Sequence, residues 1–178
     1  MSSITRVGRM FPRNSVVDVV RTSMHFDASP NDVWRGMLFY EEVPKRPMAL
    51  LRWFLPVPVR TEGEKTREGS VIRCTYENAF LTKRITSAKA GEFVRFDVLV
   101  QELGIEDCIS MSDGGYELTP AGEGTDLVLT TRYRGHMRPR WLWRPFERFL
   151  AHRMHRHILD GMREVVASKV ERPLLADA

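Results

Sequence analysis

The feature that most constrains this chain is a long amphipathic stretch near its C-terminus, Pro145 to about Val170, entered through the run Arg138-Pro139-Arg140-Trp141-Leu142-Trp143-Arg144. At about 100° per residue Phe146, Phe149, Leu150, Met154, Ile158, Met162 and Val165 fall on one arc, the pattern of a helix laid on a hydrophobic surface. Pro145 suits a first helical turn, where its missing N–H is no loss, and Pro173 follows the expected end. At about 1.5 Å per residue such a helix runs roughly 39 Å, enough to cross a small domain. The rest of the chain must therefore supply a surface for it. Arg153 and His157 project near the middle of the arc, Gly161 opens a notch beside them, and His152, His155 and Arg156 point away.

The preceding residues read as strands. Val16 to Phe26 is rich in β-branched residues and puts Val20, Thr22, Met24 and Phe26 on one face. Ser29, Pro30 and Asp32 then mark a helix start, with Ser29 as cap, and Val33, Trp34, Met37 and Leu38 form its apolar stripe. From Gly69 onward a meander is expected, with strands at 70–77, 80–87, 93–101, 105–118 and 125–134 and turns at 89–92 and 119–124. Val94, Phe96, Val98 and Val100 alternate with Arg95, Asp97, Leu99 and Gln101, so one face of that strand is wet or functional. Gly114-Gly115 inside a long strand marks a bulge.

Two patches are unusual. Lys45 to Val59 concentrates Met48, Leu50, Leu51, Trp53, Phe54 and Leu55 among Pro47, Pro56 and Pro58, which reads as a short helix over Met48–Leu55 followed by an extended turn. It serves as core, as a gate over a cavity, or as a membrane contact through Trp53. Trp141 and Trp143, flanked by Arg138, Arg140, Arg144 and Arg148, have the composition of a lipid-interface anchor, or else pack on the sheet edge among solvated arginines.

Composition narrows the function classes. The 178 residues suit one domain, 43% hydrophobic, and a net charge of +4 is too mild to argue for nucleic acid without a matching motif. Cys74 and Cys108 lack metal-ligand spacing and fit small reduced core residues. No run reaches the roughly 18 apolar residues of a membrane span, and the N-terminal arm lacks the continuous apolar segment of a signal peptide. A cytoplasmic protein is expected, monomeric or homodimeric, without cofactor or metal. His152 and His155, three apart, could chelate an ion from the surface, but no carboxylate at a suitable spacing completes a set, so no metal site is expected there.

Phe26-Asp27-Ala28-Ser29-Pro30-Asn31-Asp32-Val33-Trp34 resembles the strand-to-helix start of the START-like (SRPBCC) superfamily, the polyketide cyclase/dehydrase and lipid-transfer relatives. Tyr116-Glu117-Leu118-Thr119-Pro120-Ala121-Gly122-Glu123-Gly124-Thr125 resembles that family's hairpin before the last strand. The resemblance covers Val16 to Lys169. It implies an α+β helix-grip fold: a curved antiparallel sheet wrapped around the long C-terminal helix, with two short helices after the first strand. Residues 1–15 would then be a basic arm, 16–170 the domain and 171–178 a tail. The family's members include carriers, cyclases and dehydratases, and co-chaperones. The chain departs from many of them at Lys45–Val59, where its apolar patch is heavier.

What the resemblance implies for function is an apolar cavity between sheet and helix that binds a lipid, sterol or polyketide-like molecule. The residues expected to meet it are Trp34, Met37, Phe54, Phe96, Tyr133, Leu150, Met154, His157, Ile158 and Gly161. A cyclase or dehydratase would need a base and an oxyanion donor, for which His157 and Arg153 are the candidates, with Tyr76 or Tyr133 as other donors. If Arg153 enters the cavity, Asp97, Glu102 or Asp107 should meet it. A protein-interaction module would instead use an exposed sheet face.

Overall fold

The computed structural model describes residues 16–39, 58–76 and 79–176. Seven strands, β1 (Asp18–Phe26), β2 (Pro58–Glu62), β3 (Val71–Tyr76), β4 (Ala79–Lys89), β5 (Phe93–Glu102), β6 (Ile109–Ala121) and β7 (Gly124–Gly135), form one antiparallel sheet in the order β1-β7-β6-β5-β4-β3-β2. Helix α1 (Pro30–Phe39) follows β1, and helix α2 (Arg140–Ala176) closes the chain. This is the helix-grip arrangement. The second short helix expected over Met48–Leu55 lies outside the described residues, as do the arm 1–15 and Trp53 and Phe54.

Local chemistry sets the elements. Ser29 caps α1: the Asp32 amide donates to Ser29 Oγ at 3.3 Å and the Ser29 hydroxyl donates to the Asp32 carboxylate at 2.6 Å. Val20, Thr22 and Phe26 of β1 are buried, in the alternation expected. Strand β2 begins at the last residue of the extended turn anticipated at Pro56–Pro58, whose first two residues lie outside the described ones, and its Thr61 and Glu62 pair with Cys74 and Arg73 at the sheet edge. The turn anticipated at 119–124 shrinks to Ala121–Gly124, with Gly122 at φ 61°. Pro120 is tolerated because the β5–β6 pairs end at Phe93↔Glu117, leaving that part of β6 one neighbour.

The glycine pair does not make the bulge. The register shift in β6 falls between Met111 and Asp113, whereas Gly114 and Gly115 pair regularly with Thr131 and Thr130. They serve close approach instead. A Cβ at Gly114 would lie 2.8 Å from the Phe96 ring, and one at Gly115 2.6 Å from Val94 O.

Helix α2 has 37 residues, about 55 Å, and starts earlier and ends later than the proline positions suggest. The added first turn is held by the sheet, as described below. Its buried line also differs from the expected arc. Glu147, His155, Leu159, Met162 and Val166 are buried, while Phe146 and Phe149 are 40% and 48% exposed. The arc is displaced because β1 and β7 offer polar side chains to the first half of the helix and apolar ones to the second.

That second half packs on α1 and the core around Phe26, Val33, Trp34, Phe96, Leu127 and Leu129. The helices cross at Gly36, where an added Cβ would overlap Val166 Cγ2. Gly36→Ala is therefore expected to destabilise the fold by about 1–2 kcal/mol despite alanine's better helix propensity. Adding Val166→Ala should restore part of the loss. Thermal melts check this, and a Gly36→Ala variant more stable than the parent would refute the close crossing.

Candidate functional site

Between α1 and the inner face of β2–β6 lies an apolar cleft of about 40 Å³. Met37, Ile72, Ile85, Val94 and Phe96 make its walls. Leu38 and Thr61 also line it. In the volume shown it holds about one water molecule, and a larger guest requires the walls to part.

The polar groups of this cleft are few. Lys83 stands on β4 between buried Leu81 and Ile85, with its ammonium 4.4 Å from the centre of the Phe96 ring. Among the described residues no carboxylate pairs with it. Lys65 donates to Leu38 O at 2.5 Å at the same cleft, and Tyr116 contributes a phenol. The arrangement offers an apolar wall with cationic donors and no lining carboxylate. A wider depression of about 340 Å³ lies on the opposite, convex face over Gly114–Gly115, rimmed by Arg21, Arg95, Arg132, Asp97, Asp113 and Glu117. It is larger but mixed in charge, and Arg132 and Asp113 pair across it at 2.6 Å. For an apolar molecule the inner cleft is the better match.

A second polar assembly sits under the first half of α2. Arg140 donates to both oxygens of Glu147, at 2.6 and 2.9 Å, and to Asp18 at 2.8 Å; Arg144 donates to the other oxygen of Asp18 at 2.5 Å. Asp18 and Glu147 are 2% and 3% exposed. Tyr133 lies beside them, its hydroxyl buried without a hydrogen-bond partner among the described residues. Burial, then the negative charges of Asp18 and Glu147, push its pKa up to about 12.

Two turns further on, the Thr22 hydroxyl lies 2.9 Å from His152 Nδ1 and 3.0 Å from His155 Nδ1, and His155 Nε2 is 2.9 Å from the Thr131 hydroxyl. One hydroxyl between two imidazoles allows two self-consistent proton arrangements, in which Thr22 donates to one ring and accepts from the other. Burial, reinforced by neighbouring His152, lowers the His155 pKa to about 4. His155 thus lies inside, not pointing away as the wheel suggests.

The residues singled out from sequence are distributed as follows. Met37 and Phe96 line the inner cleft, and Trp34 is buried in the adjoining core. Tyr133 belongs to the ionic assembly. Leu150, Met154, His157 and Ile158 are half-buried along α2, and Gly161 is buried. Arg153 rests its guanidinium 5.6 Å from the Phe149 ring centre rather than meeting Asp97, Glu102 or Asp107. Neither His157 nor Arg153 is among the residues lining the cleft. Cys74 is buried and Cys108 half-buried, both as free thiols. Among the described residues no cluster of three His, Cys, Asp or Glu is placed to hold a metal, and no helix is long and apolar enough to cross a membrane.

Sequence reasoning missed Lys83, Lys65 and the partnership of Asp18, Thr22 and His155. Lys83 had a readable signal, a charge between Leu81 and Ile85 at inward-facing positions of one strand.

Residues 18–169 match the model of a family described as polyketide cyclase/dehydrase and lipid transport. No curated protein matches the chain. Among solved structures, TTHA0849 from Thermus thermophilus superposes with a TM-score of 0.57 at 20% identity, covering 85% of this chain and 99% of that one. Norcoclaurine synthase from Thalictrum flavum, solved with dopamine and hydroxybenzaldehyde, gives 0.56 at 12% identity, covering 89% and 88%. The Aha1 dimer from Colwellia psychrerythraea gives 0.55 at 11%, covering 84% and 96%. At these identities the likeness is one of fold.

Proposed function

We propose that this chain, which belongs to the polyketide cyclase/dehydrase and lipid transport family, binds and carries a hydrophobic small molecule bearing an acidic group. The molecule would be lipid-like or polyketide-like and enter between α1 and the concave sheet face. The reading rests on Lys83: an ammonium turned into an apolar cleft, with an aromatic ring as its contact and no carboxylate partner among the described residues. A carboxylate, phenolate or enolate on an otherwise apolar guest would supply the missing counter-charge, and a charge-assisted hydrogen bond there gains from exclusion of water.

The test compares a long-chain fatty acid with the alcohol of the same chain length by calorimetry. Lys83→Met is expected to weaken the acid about tenfold or more and leave the alcohol nearly unchanged, given the worth of one charge-assisted contact. Binding of neither compound, together with an extract of freshly purified protein free of apolar molecules, would sink the reading.

A second reading, an enzyme of the cyclase or dehydratase type, is favoured by Tyr116 lining the same cleft as Lys83. A cation and a phenol together could stabilise a developing oxyanion. In that case Lys83→Met and Tyr116→Phe lower turnover of a poly-β-ketone substrate more than they lower its binding.

A further inference from the structure

The first half of α2 presents a second face, directed away from the sheet, that the cleft does not use. Trp141 is 77% exposed and Leu142 53%, and Phe146 and Phe149 are also exposed. Trp141, Pro145 and Phe149 follow one another at four-residue intervals, as do Leu142 and Phe146, so they form adjoining ridges along one side of the helix. Trp143 is not among them: it is half-buried, its indole N–H donates to Arg138 O at 3.2 Å, and its ring meets Phe146 edge-on.

The charges around these ridges have one sign. Arg138, Arg148 and Arg156 are exposed, and Arg153 lies alongside Phe149. From Arg138 to Leu159 the lone carboxylate is Glu147, which is buried and consumed by Arg140. Exposed aromatic and aliphatic side chains, ringed by arginines and free of exposed carboxylates, complement a surface that is negatively charged outside and apolar just beneath.

We infer that this face docks the protein on an anionic lipid bilayer, with α2 lying in the plane of the interface. Trp141, Leu142, Phe146 and Phe149 enter the headgroup and acyl boundary while Arg138, Arg148 and Arg156 meet lipid phosphates. The surface is separate from the inner cleft, so the inference stands or falls independently of what that cleft binds.

The experiment is flotation of the full chain with phosphatidylcholine vesicles, with and without phosphatidylserine, at low and high salt. The expected result is co-flotation with the anionic vesicles, weakened by salt, and a blue shift of tryptophan emission that Trp141→Ser diminishes. Two variants that leave the core untouched, Trp141→Ser/Phe149→Ser and Arg148→Glu/Arg156→Glu, should each keep the parent's melting temperature and lower partitioning about tenfold or more. Equal binding to neutral vesicles, no binding, or unchanged binding by both variants would overturn the inference. So would a dimer that Trp141→Ser/Phe149→Ser dissolves, since a second copy would then occupy the face.

Discussion

Replacing Arg140 by methionine is expected to lower the melting temperature by about 10 °C, corresponding to roughly 3–5 kcal/mol, because it strips buried carboxylates of their partner. Glu147 loses both of its hydrogen bonds, and Asp18 retains only Arg144. The carboxylates cannot escape to water, being almost fully buried. A surface pair would contribute at most about 1 kcal/mol, so the size of the effect separates the two cases. Removing the stranded charge as well, in Arg140→Met/Glu147→Met, should recover much of the loss. A single variant melting within about 2 °C of the parent would mean that the assembly fastens nothing.

The second large effect is on acid stability. Buried His155 binds a proton less readily in the folded chain, with a pKa near 4 against 6.5 for the free side chain. The unfolded chain therefore takes up the proton first as pH falls. The stabilisation associated with neutral His155 is fully present above about pH 6.5 and is lost as pH falls towards 4, a change of about 3 kcal/mol. Denaturant titrations at pH 7, 5.5 and 4 should show it. His155→Gln, whose amide can still meet Thr22 and Thr131, should lose less stability over the same range. Parallel curves for parent and variant would remove His155 as the cause.

These two expectations concern residues that the sequence places poorly, and the reason is physical. Hydrophobic periodicity reports which side chains prefer an apolar neighbour. It found the second half of α2, where Ile158, Met162 and Val165 approach the core, and it found the inward face of β1. It failed over the first half, because there a polar helix face meets a polar sheet face. Glu147 and His155 look like solvent residues until Asp18, Arg140, Thr22 and Thr131 are brought opposite them. Phe146 and Phe149 look like core for the complementary reason, since nothing local says that the sheet has no apolar surface to offer them. The strand-to-helix start at Phe26–Trp34 was legible because its capping chemistry is local. The cleft is legible only in part: Met37 and Phe96 stand on apolar faces of α1 and β5, whereas Lys83, although it alternates with Leu81 and Ile85, is a charge that hydrophobic periodicity by itself assigns to solvent.

The position of β1 beside β7 has a consequence for synthesis. The two strands pair from Asp18↔Tyr133 to Phe26↔Thr125, a separation of about a hundred residues. At roughly 5–20 residues per second on the ribosome, β1 waits several seconds for its strand partner. An unpaired strand with a uniformly apolar face is an invitation to aggregate. Asp18 and Thr22 interrupt that face, so the residues that later hold Arg140 and the two histidines also act as gatekeepers while the nascent strand is alone.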